Sequence, residues 1–204
     1  LRATIYYFKT EGFPVRGWYS RGYLPHFDEP DRIQFITYRL ADSMPQSVLE
    51  AADEALRRGE ITEAGRRKRI EYYLDQGHGA CWLKDPAIAG MVEENLRHFD
   101  AERYRLLAWC VMPNHVHAMA EMMVGFPLED VVHSWKSYTA HEINRILGRR
   151  GRVWQPEGFD RYIRDEKHFN RVIGYIEDNP VNAGRVRSAE DWPWCSARFR
   201  GEWL

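Results

Sequence analysis

Tyr104-Arg105-Leu106-Leu107-Ala108-Trp109-Cys110-Val111-Met112-Pro113-Asn114-His115-Val116-His117-Ala118-Met119-Ala120-Glu121-Met122-Met123 is the stretch on which the fold turns. Leu106, Leu107, Trp109 and Val111 mark Tyr104 to Met112 as a strand. Pro113-Asn114 is a turn, and His115 to Met123 is the strand that returns, so the whole is a β-hairpin. Side chains two apart on a strand project from one face about 6.6 Å apart along the chain. His115 and His117 can therefore converge on one ion while Val116 points into the core. Paired histidines also occur on the exposed face of a half-buried sheet. Here they follow the turn directly in an otherwise apolar strand, where exposed imidazoles have no evident structural use.

Upstream, Ile33 to Leu40 is dense in β-branched and aromatic residues and reads as a first strand. Ser47 to Arg58 and Thr62 to Leu74 carry helical spacing, with Thr62 as an N-cap and Gly59 as a stop. Asp85-Pro86 opens a third helix that runs to about Phe99, and the region from Ser47 to Phe99 reads as one helical layer. Residues 1–30, rich in Gly, Pro, aromatics and Arg without a period, read as an irregular arm. Downstream, Pro127 to Leu147 is a helix ended by Gly148 to Gly151. Val153 to Ile163 holds short extended segments. Asp165 to Asp178 is a last helix, closed by Asn179-Pro180 because the residue before proline disfavours helical geometry. This order predicts an α+β fold, one antiparallel sheet with helices packed mainly on one face. The expected organisation is an arm over 1–30, a catalytic domain over 31–186 and a tail over 187–204.

With 204 residues, 44% of them hydrophobic, the chain can bury one sizeable core but not two independent ones. No apolar run approaches the roughly 20 residues that a membrane helix needs, and the first residues do not resemble a signal peptide, so a cytoplasmic location is expected. Cys81, Cys110 and Cys195 are odd in number and widely spaced, which predicts buried, reduced thiols. A net charge of -1 argues mildly against nucleic-acid binding. Local clustering offsets that: Arg57, Arg58, Arg66, Arg67, Lys68 and Arg69 form one basic group, and residues from Arg145 to Arg171 another, both interrupted by acids.

Near the end of the last helix, Tyr175 and Asn179 stand four apart and so share a helix face. A phenol and an amide oxygen could reach the same point. Each residue also has an ordinary use, the tyrosine for packing and the asparagine as a helix stop. Tyr162, in a short extended segment, is the alternative tyrosine.

Trp109-Cys110-Val111-Met112-Pro113-Asn114-His115-Val116-His117, followed by Tyr175-Ile176-Glu177-Asp178-Asn179-Pro180-Val181-Asn182-Ala183-Gly184, closely resembles the paired signatures of REP-associated tyrosine transposases. These are relatives of IS200-like single-strand transposases in the HUH class of nucleases. The arm from Gly17 to Phe27 and the stretch Arg161 to Glu166 resemble that group too. The resemblance implies a ferredoxin-like, RRM-like antiparallel sheet, the HUH nuclease fold, with the histidines on a central strand and the tyrosine on a helix above it. By the same resemblance His115 and His117 are metal ligands, Asn179 is a third ligand where related enzymes have Gln, and Tyr175 is the nucleophile. The implied cofactor is Mg²⁺ or Mn²⁺. The implied partners are single-stranded DNA and REP-like DNA hairpins, with Arg16, Trp18, Tyr19, Arg21 and Tyr23 of the arm as candidate DNA contacts. The implied reaction passes through a 5′-phosphotyrosine intermediate.

A replication initiator or relaxase would share this chemistry, and a non-catalytic RRM-like binder would share the sheet. A zinc hydrolase would use paired histidines too, but with Cys, His or a carboxylate beside them, and no H-E-x-x-H is present. A monomer is expected over a homodimer.

Overall fold

In the computed structural model, residues 17–20, 25–28, 32–156 and 158–200 are described, the first two segments by backbone alone. Strands β3 (Ile33–Arg39), β4 (Tyr104–Val111), β5 (His115–Met122) and β6 (Phe159–Tyr162) form one sheet in the order β4-β5-β3-β6. Every pairing is antiparallel. The α+β expectation holds, and the histidine strand is central. The hairpin closes through the Met112 amide, which donates to the His115 carbonyl at 2.9 Å. A register shift between Leu106 and Ala108 interrupts the β4–β5 ladder.

Period-two alternation sorts β5 onto two faces. Val116, Ala118, Ala120 and Met122 face one core, shared with Ile36 and Tyr38 of β3. That core is covered by α3 (Pro86–His98) through Ile88, Val92 and Leu96, and by α4 (Leu128–Ile146) through Leu128, Val131 and Trp135. Proline opens α3 behind the Asp85 cap, whose carboxylate accepts from the Ala87 amide at 2.8 Å. At that position its missing N–H costs nothing. Trp135 locks the layer: its indole donates to the Tyr104 hydroxyl at 2.9 Å, which donates to the Leu96 carbonyl at 2.7 Å.

The opposite face holds Phe35, Met119 and the two histidines, covered by α5 (Glu166–Glu177) through Val172 and Ile176. Helix α1 (Gln46–Arg57) leads to α2 (Glu63–Asp75), capped by Thr62 as expected. The stretch from Ser47 to Phe99 is therefore not one layer. The carboxylate end of α2 reaches the histidine face, where Asp75 Oδ1 lies 3.9 Å from His115 Nε2, whereas α3 packs beneath. Periodicity marks helices but not the side of the sheet they take.

Two further expectations are corrected. The arm is not wholly irregular, since β1 (Gly17–Ser20) and β2 (Pro25–Asp28) pair antiparallel. Their aromatic content suits strands, and the Gly and Pro around them mask it. Asn179 does not simply end a helix. It opens a separate turn, α6 (Asn179–Asn182), with Pro180 in the first-turn position that tolerates it.

The tail is fastened into the fold. The Trp194 carbonyl accepts from the Val111 amide at 2.9 Å, the backbone at Cys195 forms an isolated antiparallel β-bridge with that at Cys110, and Ser196 accepts from the Trp109 amide at 3.1 Å. All three cysteines are buried and free. Among the described residues no helix is long and apolar enough to cross a membrane.

Candidate metal and tyrosine site

His115 and His117 are each 1% exposed, and their Nε2 atoms stand 3.1 Å apart. Burial holds the pKa of His115 well below the ordinary value, with His117 and Arg185 adding to the effect, and lowers that of His117 to about 3. Both rings are neutral at physiological pH, the state in which imidazole binds a metal.

Their far nitrogens are occupied. His115 Nδ1 meets Asn114 Oδ1 at 2.7 Å, and the Asn114 amide nitrogen donates to the His78 carbonyl at 3.0 Å. That second bond orients the amide, so the oxygen must face the imidazole and accept from it. His115 therefore carries its proton on Nδ1 and presents a lone pair at Nε2. His117 Nδ1 meets Thr37 Oγ1 at 2.8 Å. Two nitrogens about 2.1 Å from one ion at a right angle stand about 3.0 Å apart, so the pair fits a single cation.

The loop after α2 keeps this arrangement in place. Gly79, at φ +84°, brings its backbone against Asp42, where a Cβ would lie 2.5 Å from the carbonyl oxygen. The Ala80 amide donates to the Asp42 carboxylate at 2.8 Å, holding the segment that carries the His78 carbonyl.

Tyr175 comes to the histidines within the same chain. Its ring centroid lies 5.3 Å from that of His117 and 5.8 Å from Phe35, edge-on to both, and Phe35 stacks on His117 at 5.7 Å. The phenol oxygen is buried, with the Glu71 carboxylate as its nearest polar neighbour and no hydrogen bond of good geometry. Burial raises its pKa above the ordinary value, and the nearby Glu71 and Asp75 carboxylates add to the rise. Asn179 is 1% exposed, and its Oδ1 also lacks a hydrogen bond. Tyr162 lies on β6, paired opposite Gln34 at the far end of β3 from Arg39, which pairs with His115.

Sequence reasoning missed the contribution of α2. Asp75 Oδ1 is buried without a hydrogen bond. Burial lifts the Asp75 pKa to about 6, against the opposing effects of Asn179 and Arg185. Glu71, one turn earlier, is raised by burial as well. Among the described residues no three His, Cys, Asp or Glu side chains already stand as a closed metal cage: Asp75 Oδ1 is 3.9 Å from His115 Nε2, farther than the 3.1 Å that separates the two imidazole nitrogens.

A cleft of about 350 Å³ opens beside the site between β3 and α2, with Thr37, Arg39, Arg66, Arg67, Glu71 and Phe159 among its walls. The Arg67 guanidinium sits 4.8 Å above the Phe159 ring. Arg161 has its pKa lowered by partial burial and then by Arg67, Arg164 and Arg171. Members of the two basic groups seen in the sequence thus converge on one surface. Of the arm's candidate contacts, Arg16, Arg21 and Tyr23 lie outside the described residues, and Trp18 and Tyr19 are described only as backbone of β1.

Residues 85–179 match the family described as transposase IS200 like. A REP-associated tyrosine transposase of Escherichia coli (strain K12) is 29% identical over 93 residues, 46% of this chain and 54% of that protein. A relative from Haemophilus influenzae (strain ATCC 51907 / DSM 11121 / KW20 / Rd) is 26% identical over 107 residues, 46% of this chain and 58% of its own. The matches span little more than half the length of these curated relatives. In three dimensions the chain is similar to a solved structure of a REP-associated tyrosine transposase bound to a REP hairpin. Their TM-score is 0.54 at 18% identity, over 88% of this chain and 85% of that one, a likeness of fold. The matched residues 85–179 hold the histidine hairpin and the helix bearing Tyr175, so it is the part of the chain that carries the site that is similar to the IS200-like transposase family.

Proposed function

We propose that this chain is a metal-dependent single-stranded DNA endonuclease and strand transferase that acts on REP-type hairpins through a 5′-phosphotyrosine intermediate. The observation that carries the reading is the meeting of a buried phenol with two neutral imidazoles whose Nε2 atoms are 3.1 Å apart. The substrate class is supported by the relatives named REP-associated tyrosine transposases and by the similar structure bound to a REP hairpin.

His115, His117 and Asn179 would hold Mg²⁺ or Mn²⁺, the amide supplying a hard oxygen that has no other partner. When bound, such an ion offsets negative charge on the phosphate and on the departing oxygen. Asn114 and Thr37 fix the orientation of the two rings. Phe35 and His117 hold the Tyr175 ring. The phenol oxygen then bonds to phosphorus as the bond from phosphorus to the 3′ oxygen of the preceding nucleotide breaks. The departing 3′ oxygen takes up a proton and becomes a free hydroxyl. The phenol loses its proton in the same step, and Glu71 is the carboxylate best placed to receive it. Attack by that 3′ hydroxyl, or by another, reverses the bond changes and rejoins strands. The flanking single strand has a path through the cleft beside Arg67 and Phe159, whose charge and ring suit a phosphate and a base.

Incubation with hairpin oligonucleotides and Mn²⁺, followed by denaturing gels, tests the reading. The wild-type chain forms a covalent protein–DNA band, and Tyr175→Phe, which keeps the packed ring, forms none. An adduct retained in Tyr175→Phe moves the role to Tyr162. No adduct from the wild-type chain on any hairpin leaves a binder and not an enzyme.

A further inference from the structure

Asp75, the last residue of α2, sets a carboxylate against the histidine pair from an element that carries no family signature. We infer that Asp75 is itself a ligand of the divalent ion, a fourth protein donor beside His115, His117 and Asn179; this rests on the reading of the site as a metal centre.

Direction is the first argument. A carboxylate that merely braces a metal-binding histidine bonds the nitrogen turned away from the ion. In His115 that nitrogen, Nδ1, is already taken by Asn114 at 2.7 Å, and Asp75 instead faces Nε2 at 3.9 Å. Two donors about 2.1 Å from a common ion are about 3.0 Å apart when adjacent and about 4.2 Å apart when opposite, and 3.9 Å lies in that span.

Satisfaction is the second. Asp75 Oδ1 is buried and accepts no hydrogen bond, a condition shared with Asn179 Oδ1. A buried acceptor left unpaired is costly, and a cation between the imidazoles and these two oxygens would satisfy both at once. Placement is the third. The carbonyl end of a helix carries partial negative charge, so the end of α2 adds to the attraction for a cation. The resulting set of two imidazoles, one amide and one carboxylate suits hard divalent ions such as Mn²⁺ and Mg²⁺, and leaves two of six positions for substrate and water.

Calorimetric titration of the metal-free chain with Mn²⁺ tests the assignment without any cleavage assay. Removing an outer partner of a metal site typically weakens binding about 10–100-fold, so losing a direct ligand should cost at least that. Both Asp75→Asn and Asp75→Ala are expected to bind Mn²⁺ at least about 30-fold more weakly than wild type. Binding within about twofold of wild type in folded Asp75→Asn and Asp75→Ala would overturn the assignment. If His117→Ala abolishes binding while the Asp75 variants keep it, only this inference falls. If the wild-type chain binds no Mn²⁺, the metal-centre reading falls with it.

Discussion

Asn114 illustrates how much one side chain can decide at the site. It is fully buried in the hairpin turn, with its amide nitrogen on the His78 carbonyl and its oxygen on His115 Nδ1. Asn114→Ala leaves both partners without their bonds, and urea unfolding should report a loss of about 1–3 kcal/mol. The same variant frees the His115 ring to change tautomer, so Mn²⁺ affinity by calorimetry should fall about 10–100-fold. An unchanged affinity would show that His115 needs no such brace. His115 and His117 were legible because they stand two apart on one strand, where local geometry fixes their relation; Asn114 was read only as part of the turn, since its bond to the distant His78 carbonyl leaves no mark in the sequence. Asp75 and Glu71 were not, because an acidic residue on a solvated-looking helix reads the same wherever that helix packs. Only the closure of α2 onto the histidine face gives those carboxylates a role.

Among the elements, α4 is joined to the sheet by Trp135, which is 1% exposed and bonded to the Tyr104 hydroxyl. Trp135→Ala opens a cavity and strands that hydroxyl's acceptor side, and denaturant unfolding should show a loss of about 3–5 kcal/mol. A loss below about 1 kcal/mol would mean that the layer can collapse around the gap. Long periodic segments such as α3, α4 and α5 were readable to within a residue or two, since an apolar stripe repeats along each. The short pieces were not. In β1 and β2, Gly and Pro obscure four-residue strands. At Asn179 the rule that proline ends helices hides that proline also begins them. The tail looked like an appendage because its apolar residues have no period. They are tied down singly, Ser196 donating to Glu177 at 2.8 Å and Arg200 meeting the same carboxylate at 2.6 Å.

For the molecule as a whole, a net charge of -1 conceals a one-sided distribution in which Arg67, Arg161, Arg164 and Arg171 share a surface. The proposed hairpin binding should therefore weaken steeply as salt rises. Arg161→Ala should lower affinity similarly for all hairpin sequences and reduce the slope of log affinity against log salt by about one. A slope left unchanged in fluorescence anisotropy would place the phosphate path elsewhere. Since Tyr175 meets His117 within one chain, a single copy holds the whole proposed centre. The backbone β-bridge between Cys195 and Cys110, with the Trp194 carbonyl on the Val111 amide, has one more effect. Strand β4 borders the sheet, and unpaired border strands are where copies of a protein stick together and precipitate. By occupying that border, residues 194–196 shield it from neighbouring molecules, so colloidal behaviour depends on the same short segment that steadies the hairpin.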